Sequence, residues 1–536
     1  MELINRNRKI IEVLAGVVIM AAGLFVALFF IWSRCRAEYN ADYTDTLLWA
    51  DAAVRSGGFY DPDYWYAYFL PFSGIPIMIP IVAAHGLTYF SHELGMTVFV
   101  FILAASLYLL ARALDATRGV SMALSGIIMI LMCASNITRM IFYGHIIHYS
   151  LVIVFFGVAF YLLRHSRVFD KDGKHAGLFT AMIPVWCMLC TTNGMATIIL
   201  FFVPFVGSLI LERYFSAKPI SYKGDKDLIH TVLLFAAGGL AGFVIKLAFF
   251  GNLEYEDSIT SLLPYDGWVW NQVPFLLEWV TVLTGKSTAI DIKMMSFDGI
   301  RILSLYYFAF IILIVPVFAI FSYRKITNRM LRLLIICYWT MFAVTLATYS
   351  VSYAITFNWR LSGLVCMATI LTIAYAYHMI KSKRHVRWFV PLVPVVAFCM
   401  IICALTVKHI PSAVDANPND QLISILDEHG LTRGYSMFWN GANAITVLSD
   451  NRIVVSPIEI MHDGSYEVRH YQSEPEGYED VEGLDRYFVI VDGEDMGYTA
   501  DTLGKNKIEE IKYQDNMYIW VYDRNIFSDG EPVFCD

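Results

Sequence analysis

The chain has 536 residues, 57% of them hydrophobic and only 16% charged, with a formal net charge of −8 and a mean hydropathy of +0.55. Soluble domains run near 45–50% apolar and about 25% charged, so a single soluble enzyme is excluded, and the acidic balance does not suit a nucleic-acid partner. Repeated apolar runs of about 20 residues define a polytopic membrane protein, whose net charge is divided between two compartments. Nine cysteines fall mostly inside those runs, so they form no secreted disulfide framework. Outside the runs, Cys35 and Cys535 meet only if the two ends of the outer face approach each other.

The first apolar run, 10–32, follows Arg6, Arg8 and Lys9. It is too long for a signal peptide and lacks a small-residue cleavage site, so it reads as an uncleaved first span. Further runs lie at 95–113, 120–136, 146–163, 178–191, 195–211, 228–250, 300–321, 331–351, 361–380 and 388–407, about eleven spans in all. Basic clusters recur in alternate connections, around Arg6, Arg112, Arg164, Arg213, Arg324 and Lys381, and hold 21 of the 39 lysines and arginines. That bias predicts a cytoplasmic amino terminus and an outer carboxyl terminus in a plasma membrane. Residues 70–90 are apolar but broken by Pro71, Gly74, Pro76 and Pro80; as a full span they would invert everything downstream, so a juxtamembrane or re-entrant segment is expected. The segment 178–211 requires a tight outer turn at Thr191–Gly194 between two short spans. Residues 1–407 therefore form the multi-span domain, with outer loops 33–94 and 251–299.

From Lys408 the long apolar runs stop, and the last 129 residues carry 9 basic and 25 acidic side chains. A helix is expected at 420–429 and strands at 452–457, 486–491 and 517–522, making 408–536 an extracytoplasmic α/β domain. Its aromatic run Tyr435–Asn440 reads either as core packing or as a surface on which a sugar could stack.

In the first outer loop, Asp42, Asp45, Trp49 and Asp51 precede the pair Gly57–Gly58, a pattern for a short helix with a glycine stop. Asp42, Asp45 and Trp49 are spaced to share one face. One acid suffices to cap the helix start, so capping explains Asp42 better than Asp45. At the first turn Asp45 is expected to feel the positive helix end and stay ionised, which suits a general base. A cation is also sought at the outer ends of the spans. Arg360, in a very short turn, reads as a snorkelling anchor beside Trp359 or as a phosphate clamp. Arg139 is a second candidate, and Lys286 and Lys293 could approach from the second outer loop. His145 and His148 read as polar anchors, as partners for a phosphate or, less simply, as metal ligands. Glu254, Glu256 and Asp257 fit either a solvated acidic loop or a divalent-cation site. Lys246 is expected to snorkel outward, and Cys187-x-x-Cys190 lies inside a span and is discounted as a redox pair. Trp268, Trp270 and Trp279 suit a segment lying on the membrane as one wall of a lipid groove, or packing against the outer domain.

Asp42/Asp45, Trp49-Ala50, Gly57-Gly58-Phe59-Tyr60 and Tyr68-Phe69-Leu70-Pro71-Phe72, between a first span and a many-span body, resemble the GT-C superfamily of membrane glycosyltransferases. Some of its families carry an adjacent Asp-Glu pair where this chain has Asp45-Thr46, which leaves open which acid is the base. The resemblance implies transfer of a hexosyl or pentosyl unit from a polyprenyl-phosphate carrier to a glycan, lipid or protein acceptor, with inversion. Asp45 and Asp42 would then be catalytic, and Arg360, Arg139, His145, His148, Trp49 and Tyr68 would bind substrate. No protein metal site is implied, although a divalent cation remains an open cofactor. Two other readings compete: a transporter or flippase of a lipid-linked saccharide, and a non-catalytic cell-envelope assembly protein. The first is disfavoured by spans nearly free of charge at their centres and by the lack of an internal repeat.

Overall fold

The computed structural model describes residues 2–215, 222–253, 261–285, 291–352, 358–384, 386–412, 417–514 and 516–528. The chain is mostly helical, with a small sheet domain at its carboxyl end. Among the described residues, eight helices are long and apolar enough to cross a membrane, and a ninth is counted if the bent pair Asn136–Gly144 and His148–Arg164 is one span. The first elements are α1 (Glu2–Ser33), α2 (Cys35–Glu38), α3 (Asp45–Ser56), α4 (Ile75–His85), α5 (Tyr89–Ala113), α6 (Arg118–Leu131), α7 (Asn136–Arg139), α8 (His148–Arg164) and α9 (Ala176–Thr191). A helix falls on each of the eleven apolar runs, although α6 and α9 are shorter than the rest. The proline-broken segment 70–90 holds α4, whose 11 residues reach about 17 Å, roughly half a bilayer core.

Small residues let the helices approach backbone to backbone. Gly16 and Gly23 of α1 face Gly119 and Gly126 of α6, and a Cβ on Gly16 would stand 2.1 Å from the Gly119 carbonyl oxygen. Seven-residue spacing on both helices puts these glycines on one stripe each, the pattern by which membrane helices pack without a hydrophobic drive.

Ion pairs gather one end of the bundle. Arg164 meets Asp115 at 3.0 Å, Arg213 meets Asp225 at 2.6 Å, Lys171 meets Asp227 at 2.8 Å, and Arg329 and Arg332 converge on Glu212. Basic loops that are far apart in sequence therefore share one end. The opposite end carries the sheet domain, built from helix Pro418–Glu428 and strands β1 (Arg433–Met437), β2 (Val454–Ile460), β3 (Tyr466–Val468), β4 (Tyr487–Asp492), β5 (Glu509–Gln514) and β6 (Met517–Tyr522). The strand order is β3-β2-β1-β4-β6-β5. β1 lies parallel to both β2 and β4, and the other pairs are antiparallel. The expected helix and three expected strands are present, and the aromatic run 435–440 supplies most of β1.

Buried polar contacts dock the domain onto the loop after α1. Arg36 forks onto Asp420, with Nε at 3.0 and 3.1 Å from its two oxygens, and reaches the Leu448 carbonyl at 3.1 Å. The Asn417 amide donates to the carbonyls of Arg36 and Tyr39 at 2.7 and 2.8 Å. The Asp450 carboxylate accepts from the Tyr89 amide at 3.0 Å. Asp420→Ala leaves the Arg36 fork without its acid and should cost about 2–3 kcal/mol of stability. Arg36→Lys should recover only part of that, because it keeps the charge but loses the fork. Thermal unfolding and protease release of the sheet domain measure both.

Candidate functional site

The loop after α1 turns twice within ten residues. Asn40, whose side chain accepts from the Asp42 amide at 3.0 Å, starts a 3-10 turn Ala41–Thr44 that runs into α3. Neither Asp42 nor Asp45 caps with its side chain, so the capping explanation for this acid pair falls away. α3 ends as its sequence dictates: Gly57 at φ +70 closes the helix with its amide on Ala53 and Val54.

Asp45 is 5% exposed. The Tyr68 hydroxyl donates to its carboxylate, and the side-chain amide of Gln472 stands beside it. Burial and the neighbouring Asp42 carboxylate push its pKa well above the usual range, and the Tyr68 and Gln472 donors pull it back only in part. The expectation that the helix start keeps Asp45 ionised is thus corrected. The dipole of a helix end is worth at most about 2 kcal/mol, whereas desolvating a carboxylate and placing another beside it both disfavour charge more strongly. Asp42 differs. It is half-buried, its carboxylate makes no hydrogen bond among the described residues, and burial pushes its pKa up to about 7. Two carboxylates in one water-poor site hold a proton between them near neutrality, and Asp42 is the member open to the outside.

Two histidines flank the pair from the bundle. His145 lies in the extended link before α8, where its Nδ1–H donates to the Asp42 carbonyl at 2.8 Å and its Nε2 is buried without a partner. Gly144 allows this approach: a Cβ there would stand 2.2 Å from the Tyr43 ring, which stacks on His145. His148 opens α8, with an unpartnered buried Nδ1 and the Tyr68 ring 6.2 Å away. The charge of Arg360 bears on His148 and Tyr149. Arg360 itself is 9% exposed on the turn Asn358–Leu361, with its guanidinium 5.0 Å from the Trp359 ring. Asp42, Asp45, Tyr68, His145, His148 and Arg360 thus form one neighbourhood at the sheet-domain end.

Other expected residues go elsewhere. Arg139 is 4% exposed and committed: it forks onto Glu38, donates to the Cys133 carbonyl at 3.0 Å and covers Phe30. Buried and forked onto Glu38, it is placed as a structural ion pair. Trp49 is fully buried and donates to the Gln472 side-chain oxygen at 2.6 Å, and Tyr68 is spent on Asp45. Trp49 supports the acid pair from behind and offers no face to a substrate, whereas Tyr68 is half-buried beside Asp45. Lys246 does not snorkel outward: it is 3% exposed and donates to the Phe69 carbonyl at 2.8 Å. Lys293 is exposed on its own loop, Trp279 packs inward onto the Ala309 carbonyl, and Trp270 is exposed. Glu254, Glu256, Asp257, Lys286 and Cys535 lie outside the described residues. Among the described residues no group of three or more His, Cys, Asp or Glu is arranged to hold a metal.

Residues without a motif complete the site. Gln472 comes from the sheet domain with a left-handed backbone (φ +53), unusual for a residue with a side chain. Its amide donates to the Trp65 carbonyl at 2.8 Å, and its own carbonyl accepts from Asn443 at 2.9 Å. Asn193, in the turn expected at Thr191–Gly194, binds both the amide and the carbonyl of Phe72 at 2.8 and 2.9 Å and fixes the far side of the loop. Nothing in the flanks of either residue marks it. No protein-family model matches the chain, and no curated protein matches its sequence.

The acid pair has a measurable consequence for stability. Asp42 has a folded pKa of about 7 against roughly 3.9 when unfolded, so the folded chain binds the extra proton and loses stability as pH rises between those values. Asp42→Asn removes that loss. Its thermal midpoint in detergent should exceed the wild type's at about pH 8, by a margin that shrinks toward pH 4.

Proposed function

We propose that the chain is an integral membrane glycosyltransferase of the GT-C kind, moving a hexosyl or pentosyl unit from a polyprenyl-phosphate carrier to an acceptor at the extracytoplasmic face. The observation that carries this reading is the uncapped acid pair, in which the Asp42 carboxylate makes no hydrogen bond among the described residues and its pKa is pushed by burial up to about 7, while Asp45 is held behind it by Tyr68. A carboxylate with a pKa close to the operating pH is what a general base for a sugar hydroxyl needs. The charge distribution supports the orientation. The ion-paired basic loops face the cytoplasm and the acidic sheet domain faces out. With the shorter apolar helices α6 and α9 counted as spans, this reading has eleven crossings.

In the proposed step Asp42 takes the proton of the acceptor hydroxyl. The acceptor oxygen bonds to the anomeric carbon from the face opposite the phosphate, and the carbon–oxygen bond to the phosphate breaks, leaving the electron pair on a lipid-bound phosphate. Inversion follows from the single displacement. Arg360, at the rim beside His148, faces the developing phosphate charge, where a guanidinium fork is effective in a site poor in water. Asp45 keeps the pair at one negative charge and holds its place through Tyr68. A transporter or flippase would place ionisable groups near the middle of its helices, whereas charged residues of the described long helices here lie toward the ends.

Asp42→Asn should lower transfer from a short-chain polyprenyl-phosphate sugar by at least about 100-fold with folding intact, while Asp45→Asn keeps a measurable rate. The reverse ranking returns the base to Asp45. Wild-type turnover should climb as pH rises through about 7, where Asp42 ionises. Arg360→Ala should raise the KM for donor and spare that for acceptor; an unchanged donor KM makes Arg360 an interfacial anchor.

A further inference from the structure

The end of the bundle away from the acid pair holds two apolar clefts that share a wall. One, of about 430 Å³, is lined by Ile19, Ala123, Ile373, Tyr377 and Ala397, and the other, of about 510 Å³, by Phe318, Phe321, Ser322, Lys325 and Trp388. Ile311, Phe389 and Leu392 line both, so they form a ridge between the two. Each volume falls in the range of ligand pockets, roughly 300–1,000 Å³.

Exposed cations stand at the mouths of the clefts. Arg164, Arg213, Arg329, Arg332 and Lys171 each have an acid partner. Lys325, Lys381 and Arg384 have none among the described residues, and all three are exposed. Lys325 lines the second cleft, and Lys381 lies 5.6 Å from the ring of Tyr377 in the first. Arg384 joins the two, donating to the Lys325 carbonyl at 2.5 Å. Trp388, 78% exposed beside them, marks the level at which tryptophan sits in a headgroup region. Uncompensated cations at the open ends of paired apolar clefts match one ligand class: a two-chain lipid with an anionic headgroup.

We infer that this end binds one anionic diacyl phospholipid, a chain in each cleft astride Phe389, with its phosphate held by Lys325, Lys381 and Arg384. A single-chain polyprenyl phosphate leaves one cleft empty and is the disfavoured occupant. The inference rests on the membrane reading of the helices and is independent of the glycosyltransferase reading.

The test uses the purified full chain in detergent, with phosphatidylglycerol, phosphatidylcholine and polyprenyl phosphate as competing probes and bound lipid read by native mass spectrometry. Wild type should retain phosphatidylglycerol in preference to both others, at one molecule per chain. The triple variant Lys325→Gln, Lys381→Gln, Arg384→Gln should weaken that retention by on the order of 100-fold, each cation near a membrane surface contributing about a decade or less. Ala397→Trp, which fills the first cleft and leaves the charges, should also displace the diacyl lipid. Equal retention of phosphatidylcholine, or stronger retention of polyprenyl phosphate, by the wild-type chain overturns the inference, and this comparison needs no variant to fold.

Discussion

Two carboxylates three residues apart, placed where water is scarce, are the constraint around which this end of the molecule is organised. Left alone, such a pair would be resolved by taking up protons or by pulling apart. Here the inner member is held by a tyrosine hydroxyl, with the Gln472 side chain close by, and the carboxylate of the outer member is left without a hydrogen bond among the described residues. The arrangement carries a folding penalty at neutral pH. Keeping a desolvated acid without a cap or a salt bridge stabilises nothing in the fold, and unfavourable polar placement of this kind concentrates at sites where chemistry is done. The neighbouring histidines add to it, since each keeps one buried ring nitrogen without a partner.

The same pair explains why the sheet domain is docked as it is. Gln472 reaches Trp49, beside Asp45, from a backbone in a left-handed turn held by Trp65 and Asn443. The fork of Arg36 on Asp420 and the amide of Asn417 hold the domain against the segment that begins the acid loop. Parts more than 400 residues apart in sequence therefore share one polar cluster, and loosening the domain exposes the inner acid.

Much of the architecture is legible in the sequence because it follows from period and charge. Apolar runs of bilayer length give the helices, lysine and arginine bias groups the loops at one end, and alternation marks β2, β4 and β6. The proline-broken stretch 70–90 holds only the 11-residue α4, and Gly57 ends α3 where the glycine pair predicts. What the sequence conceals are choices settled by tertiary neighbours. Asn40 rather than Asp42 takes the capping role, because its side chain is the one positioned to accept the first free amide. Lys246 turns inward because the Phe69 carbonyl lies within its reach, and Arg139 is withdrawn from any ligand by Glu38, a partner 101 residues away. Gln472 and Asn193 carry no motif, since an amide earns its role only from what surrounds it.

The account turns on one proton shared by two carboxyls at the sheet-domain end. Infrared difference spectroscopy of the purified chain, wild type against Asp42→Asn, reads that proton through the carbonyl stretch of a protonated acid as pH is varied. The account predicts a protonated carboxyl that persists to neutral pH and titrates near 7 in wild type, with that titration lost in the variant. Loss of all protonated carboxyl signal below about pH 5, as ordinary aspartates would give, would contradict it.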